Sequence, residues 1–297
     1  MKYSDLFNGF DFCENVDLKI FSTMKVGGIG KFIIYPKNEK ELLKIMKILQ
    51  KNDIKHYILG NGSNTLFDDN GFQDVLISLR HFNKIERVGE SVLVGGGVNL
   101  FALNNFLQKN GLSGFEWSYG IPASVGGFIK MNGGCFGHEV MECVESVFVA
   151  KNRQILEISK KLIKFAYRET NLENCVIFAV KMHFFNEKSE IILQKMMNYY
   201  NLKKESQPCE KFSLGSVFKR CFLNGEIVYV SKLIDNMGLK GVKIGGAEIS
   251  TKHAGFIVNS ANATSKDILK LIELVERKLW QCGVSCEREI VVLKERL

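Results

Sequence analysis

The sequence predicts an α+β protein of 297 residues in three consecutive parts: a lobe at 1–79, a second at 80–186 and a smaller C-terminal α+β domain at 187–297. Three observations carry this reading. The chain opens with a strand, an amphipathic helix and a second strand. Strand-like runs broken by glycine turns recur through its middle, and a long helical segment beginning at Ser189 marks a change of pattern.

In the first lobe, Lys31-Phe32-Ile33-Ile34-Tyr35 reads as a strand ended by Pro36, which has no N–H to give to a ladder. Glu39 to Lys51 follows as a helix, because Leu42, Leu43, Ile45, Met46, Ile48 and Leu49 recur at three- and four-residue spacing. Tyr57-Ile58-Leu59 is the next strand, and the polar, glycine-bearing run Gly60-Asn61-Gly62-Ser63-Asn64 stands at its exit. Ligands commonly bind there in α/β architectures.

Val75–Leu79 reads as the strand that ends the first lobe; the second is read from Ser91–Val94 as a strand, a Gly95-Gly96-Gly97 turn, and a helix from Leu100 to Asn110 that Gly111 stops. Val144–Ala150 and Val176–Val180 are further strands. The third part opens with a Ser189–Lys204 helix. It closes with Ser265–Gln281, whose Ile268, Leu271, Ile272, Val275 and Leu279 form one packing face.

Composition bounds the function. Hydrophobic residues make up 46% of the chain, no run of about 18 apolar residues occurs, and Asp5, Asp11, Glu14 and Asp17 interrupt the first residues, so neither a spanning helix nor an export signal is expected. The eight cysteines are expected as reduced thiols of a cytoplasmic protein, and no C-x-x-C pair or neighbouring histidine makes a metal site. The net charge of +8 is spread over lysine-rich segments without an aromatic platform or a recognisable nucleic-acid module. An anionic small substrate fits it equally well, most of these lysines read as a solvated face, and nucleic-acid and membrane partners are not expected.

The stretch from Tyr119 to Gly137 holds six glycines and one of the three prolines. Glycine admits positive φ and close approach of a ligand to the main chain, and successive N–H groups can form an anion-binding concavity. Together with the loop after Leu59 it suggests a long ligand carrying several phosphates. A ligand-free surface loop also fits this composition. Neither loop has the spacing of a Walker A or dinucleotide fingerprint.

These two loops, preceded by Thr23-Met24-Lys25-Val26-Gly27-Gly28, resemble the FAD-binding domain of the vanillyl-alcohol-oxidase (PCMH) type. The wording from Gly120 to Gly137 is similar to that of the UDP-N-acetylenolpyruvoylglucosamine reductases, and the likeness extends from about Lys19 to Leu293. The resemblance implies a two-lobed FAD-binding domain followed by a substrate-binding domain. It places FAD on Gly60, Asn61, Gly62, Ser63, Asn64, Gly120, Ile121, Pro122, Ala123, Ser124, Gly126, Gly127 and Asn132.

Three further matches carry the implied chemistry. Tyr167-Arg168-Glu169-Thr170 resembles a Tyr-Arg-x-Ser motif, with Thr170 at the serine; Arg168 would bind and polarise the substrate carboxylate, beside Tyr167. Gly215-Ser216-Val217-Phe218-Lys219 resembles Gly-Ser-x-Phe-Lys-Asn-Pro, which makes Ser216 the proton donor and Lys219 a substrate contact. Arg220 and Cys221 replace Asn-Pro, and Arg220 would meet the diphosphate. Glu287-Arg288-Glu289-Ile290-Val291 resembles Glu-Pro-Glu-Val-Arg, so Glu289 matches the catalytic glutamate and Glu287, on the same face by strand alternation, is its rival. His253, in a run that also follows the family, is a second candidate acid.

The resemblance thus implies reduction of UDP-N-acetylglucosamine enolpyruvate to UDP-N-acetylmuramate in peptidoglycan precursor synthesis. NADPH would supply the hydride by way of FAD to C3 of the enolpyruvyl group, Ser216 would protonate C2, and Arg168 and Glu289 would stabilise the enolate-like carboxylate. Only 47 residues separate Arg168 from Ser216, which implies the branch without a long tyrosine-bearing insertion. A monomer is expected. Two other readings stand beside this one: a flavin oxidase of the same superfamily, and a binding protein that keeps the flavin fold without turnover.

Overall fold

The computed structural model describes residues 2–223 and 225–294. The chain forms two compact units from interleaved segments. One takes the residues up to Glu14, Phe32–Asn61 and Asp74–Leu202; the other takes Asn15–Lys31, Gly62–Gln73 and the residues from Lys203 onward.

The first unit is built on a five-stranded antiparallel sheet in the order Gln154–Ser159, Val144–Lys151, Val176–His183, Ser91–Gly95, Ile85–Val88. Period-two alternation gives it two buried faces. Val147 and Val149 join a core with Leu100, Leu103 and Leu107 of the Leu100–Lys109 helix, while Phe148 and Ala150 pack with Leu42, Ile45 and Leu49 of the Glu39–Lys51 helix. Both helices begin where the sequence expects, and each is capped by an asparagine. The Asn38 side chain accepts from the Glu41 N–H (3.0 Å), and that of Asn99 from the Ala102 N–H (2.7 Å). Next to the first helix, His56–Leu59 pairs in parallel with Phe72–Ser78, His56 opposite Val75 and Leu59 opposite Ser78.

The second unit carries a four-stranded antiparallel sheet in the order Phe212–Ser216, Phe256–Asn259, Ala247–Ile249, Lys243–Ile244. The Ser265–Gln281 helix lays Ile268, Leu271, Ile272, Val275 and Leu279 into the same core as Leu214, Ile249 and Ile257. Its N-terminus is capped twice. Thr264 and Asp267 form a reciprocal capping box, and Asp69 accepts from the Ser265 N–H (2.9 Å) and hydroxyl (2.8 Å). A short parallel pair, Thr65–Phe67 with Val291–Leu293, closes this unit.

All eight cysteines are free thiols. Among the described residues, no helix is long and apolar enough to cross a membrane.

Candidate active site

In the first unit, three sheet exits and one helix start surround a cavity of about 510 Å³. The His56–Leu59 strand leads into Gly60 and Asn61, Phe72–Ser78 leads into Leu79 and Arg80, and Ser91–Gly95 leads into Gly96 and Gly97. The opening of the Val125–Lys130 helix brings Ser124, Gly126 and Gly127. Tyr57, Ile58, Met46 and Ile177 supply an apolar wall. The two glycine loops approach closely: a Cβ on Gly60 would press on the Ser124 hydroxyl, which would have to turn away.

The anion-binding role expected of the second loop's amides is corrected in part. The Val125 N–H donates to the Val98 carbonyl and the Gly126 N–H to the Gly96 carbonyl, each at 2.8 Å. Those amides stitch the loop to the glycine triplet and are not available to a phosphate. The cavity's positive charge comes from Arg80 and Lys130 instead, neither of which the sequence reading singled out. Arg80 is pre-oriented: its guanidinium lies 3.5 Å over the Tyr35 ring and bonds Asp11 at 3.1 Å. Lys130 donates to the Leu172 carbonyl (2.8 Å), and burial lowers its pKa from the usual lysine value, against the opposing pull of Glu173 and Cys175.

Glycine backbone, two cations and an apolar wall are what a flavin dinucleotide asks of a protein, and the volume lies in the range of ligand sites, roughly 300–1,000 Å³. The residues present therefore fit FAD. Of the expected cofactor residues, Gly60, Asn61, Ser124, Gly126 and Gly127 line this cavity. Gly120, Ile121, Pro122 and Ala123 do not line it; Ile121 packs on the core, and the Ala123 carbonyl accepts the Leu100 N–H (3.0 Å).

Asn132 is fully buried. Its amide donates to Glu139 (2.7 Å) and to the Ala166 carbonyl (2.9 Å), which fixes the neighbouring hairpin. That hairpin, Phe165–Ala166 with Glu169–Thr170, turns through Tyr167 and Arg168. Arg168 has φ +59°, a conformation glycine would favour, so the arginine is kept there at a conformational cost of order 1 kcal/mol. Its guanidinium donates to the Gly134 carbonyl (2.6 Å) and the Asn132 carbonyl (3.4 Å), and lies over the Tyr167 ring at 4.8 Å. Thr170, in the serine place, is buried and gives its hydroxyl to the Lys130 carbonyl (2.8 Å), which seats the hairpin against the glycine-rich stretch.

In the second unit, Ser216 ends the Phe212–Ser216 strand where the pairing with Phe256–Asn259 slips register, so the serine lies at an irregularity. Gly215 before it has φ +78° with open space around a notional Cβ; the backbone angle, not crowding, calls for glycine. Beyond Ser216 the chain pairs with the C-terminal segment. The Glu289 N–H donates to the Val217 carbonyl (2.7 Å), Phe218 bridges Arg288, and the Lys219 N–H donates to the Glu287 carbonyl (2.9 Å). Glu289 is thereby hydrogen-bonded to the residue that follows Ser216, while Ser216 itself pairs with Phe256.

The rivals separate here. Glu287 is 77% exposed and paired with Lys219 (2.9 Å), which lowers its pKa; Glu289 is half-buried. His253 accepts the Gly255 N–H on Nδ1 (3.1 Å), packs edge-on to Phe256, and has its pKa lowered chiefly by burial. It is a neutral, structural imidazole at pH 7 rather than an acid ready to give its proton.

The departures from the motif have local partners. Arg288 makes a two-pronged pair with Glu276 of the Ser265–Gln281 helix (2.6 and 2.7 Å), Val291 pairs with Thr65, and Cys221 is buried opposite Val228 in a short hairpin. Lys219, expected on substrate, holds Glu287.

Comparison with known proteins accounts for both units. A family model for an FAD-binding domain matches residues 30–153, and one for the C-terminal domain of UDP-N-acetylenolpyruvoylglucosamine reductase matches residues 207–293. The reductase of that name from Thermotoga petrophila is 41% identical over 278 residues, 93% of this chain and 96% of that one.

The chain belongs to the UDP-N-acetylenolpyruvoylglucosamine reductase family.

Another family member, from Streptococcus pneumoniae, is 34% identical over 300 residues, covering 100% of this chain and 94% of its own. The crystal structure of the reductase from Thermus caldophilus matches with a TM-score of 0.82 at 31% identity, over 96% of this chain and 99% of that one. The α+β architecture, an FAD-binding domain followed by the family's C-terminal domain, is thus the one the sequence resemblance implied.

Proposed function

We propose that this member of the reductase family converts UDP-N-acetylglucosamine enolpyruvate to UDP-N-acetylmuramate, a step of peptidoglycan precursor synthesis, with FAD as cofactor and NADPH as reductant. The observation that carries the reading is the bond from the Glu289 N–H to the carbonyl of Val217, the residue next to Ser216, inside the family's C-terminal domain. When bound, FAD supplies the hydride, drawn from NADPH, for C3 of the enolpyruvyl group. Gly60, Asn61, Ser124, Gly126 and Gly127 would hold it with Arg80 and Lys130; Gly62, Ser63, Gly120, Ile121, Pro122 and Ala123 complete the loops we assign to it.

The chain's own groups do the rest. Ser216 gives its hydroxyl proton to C2, and the Arg168 guanidinium takes up charge developing on the substrate carboxylate. Glu289 stabilises the same carboxylate by donating a hydrogen bond, which a glutamate does only when protonated. A positioned proton donor is worth roughly 10²–10⁴-fold in rate. Tyr167, Lys219 and Arg220 are assigned to substrate binding, Lys219 after giving up Glu287. Residues 1–79 and 80–186 serve as the two cofactor lobes, and 187–297 as the substrate domain.

The branch without a tyrosine-bearing insertion is supported by the span after Arg168, which Val176–His183 and the Ser189–Ser206 helix occupy. We assign the enzyme to the cytoplasm as a monomer that acts on a UDP-sugar, without nucleic-acid or membrane partners.

The test is NADPH oxidation by the flavin-loaded protein with and without UDP-N-acetylglucosamine enolpyruvate, for wild type and Ser216→Ala. The reading expects oxidation that depends on the sugar nucleotide. In the variant, the flavin is still reduced by NADPH but is reoxidised by the substrate 10²–10⁴-fold more slowly. A yellow protein that turns over alcohols or reacts rapidly with oxygen supports an oxidase, and one that binds both ligands without turnover supports a lapsed enzyme.

A further inference from the structure

We infer that Asn64, expected from the sequence as a cofactor residue, is the positioning residue of Glu289. The inference rests on the reading of Glu289 as a catalytic group. The Asn64 side chain donates from Nδ2 to the Glu289 carbonyl oxygen at 3.0 Å, and the Asn64 carbonyl accepts the Val291 N–H at 2.9 Å. The two bonds bracket Glu289 on its C-terminal side and begin the parallel pairing of Thr65–Phe67 with Val291–Leu293. On the other side, the Glu289 N–H is held by the Val217 carbonyl at 2.7 Å, next to Ser216.

Glu289 is therefore fixed at both of its peptide groups, by the proton donor's strand on one side and by Asn64 on the other. Ile290 is buried in the core with Leu66 and Val217. With Ile290 seated in the core and Val291 starting the parallel pair, the placement of Glu289 depends on the register Asn64 sets. The chemistry of the contact selects an amide. A carbonyl oxygen needs a donor, which asparagine supplies and an isosteric aspartate does not. Fixing a catalytic carboxyl through its backbone matters because misplacement by about 1 Å can cost on the order of 10²-fold in rate.

The test is a double-mutant cycle in the flavin-loaded enzyme, with Asn64→Ala and Asn64→Asp each made in the wild-type and Glu289→Ala backgrounds. Reoxidation of the reduced flavin by UDP-N-acetylglucosamine enolpyruvate is the rate measured, and flavin content is read by absorbance. The expected result is that both Asn64 variants keep their flavin and slow reoxidation by about 10- to 100-fold in the wild-type background, but by less than about 3-fold beside Glu289→Ala. The aspartate is at least as harmful as the alanine, although it has the shape of asparagine.

Additive losses in the two backgrounds, an aspartate that restores the rate, or loss of flavin from the variants would each overturn the inference; the last would make Asn64 a cofactor ligand. A wild-type enzyme that does not turn over the sugar nucleotide defeats the functional reading instead, and the two failures are distinguished by the first assay of the cycle.

Discussion

Arg168 and Glu289, assigned to the same substrate group, are held by opposite means. Arg168 sits at the tip of a two-residue turn, in a backbone conformation that favours glycine, and its side chain is tethered to two carbonyls of the glycine-rich stretch. Glu289 has its backbone paired on both sides, its N–H with the Val217 carbonyl and its carbonyl with the Asn64 amide. One group is positioned through its side chain and the other through its peptide. The first should be sensitive to its own substitution even when charge is kept; the second should be sensitive to residues that never touch substrate.

Arg168→Lys probes the first half of that contrast with the largest expected effect. Lysine keeps the charge but not the planar fork, and it cannot reach two carbonyls while presenting donors to a carboxylate. We expect kcat/KM to fall about 10²–10³-fold, the scale for removing a donor aimed at developing charge. Flavin content should stay unchanged, since Arg168 does not line the cofactor cavity. A loss below about 5-fold would mean that positive charge alone suffices, and the distinction between side-chain and backbone positioning would fail for this residue.

Arg288→Met probes the second half with an intermediate effect. The departure from the family's proline at this position is explained by the pair with Glu276, which ties the Glu289 segment to the Ser265–Gln281 helix with both side chains about one-third exposed. A partly exposed two-pronged pair contributes of the order of 1 kcal/mol, less in high salt. We expect a melting temperature lower by a few degrees, a difference that narrows as salt is added, and a smaller rate loss than for Asn64→Ala. A rate loss as large would shift the positioning of Glu289 from Asn64 to the helix.

The elements were legible in the sequence wherever one period ran long enough. Glu39–Lys51 and Ser265–Gln281 are where their three- and four-residue spacing puts them, and Ser91–Gly95 and Val176–His183 where apolar runs do. The site residues were legible only through motif resemblance, because each is set by partners far along the chain. Asn64 and Glu289 are 225 positions apart, and nothing local to either marks the contact. Arg80 and Lys130 escaped notice for a different reason. A lone cation at a strand exit or in a helix reads as solvated surface, and only the Tyr35 ring and the Leu172 carbonyl show that it is oriented. The anion role given to the Val125 and Gly126 amides failed because a run of glycines reports backbone freedom without reporting which carbonyls the N–H groups find.

The smallest expected effect concerns how the helix that Arg288 grips is itself held. Asp267 closes the capping box at the start of Ser265–Gln281, and hydrogen bonding at Thr264, through the backbone first, lowers its pKa from the usual aspartate value. A carboxylate with a depressed folded pKa adds stability that is present above its unfolded value, about 3.9, and lost as pH falls through the folded value. Asp267→Asn should therefore lower the melting temperature at pH 7 by a degree or two, consistent with a cap worth roughly 1 kcal/mol. The gap between variant and wild type should shrink below about pH 4 as the wild type loses the same charge. A gap independent of pH would mean that the shape of the side chain, not its charge, holds the helix start. The backbone anchoring of Glu289 would then rest on packing of the helix and not on its cap.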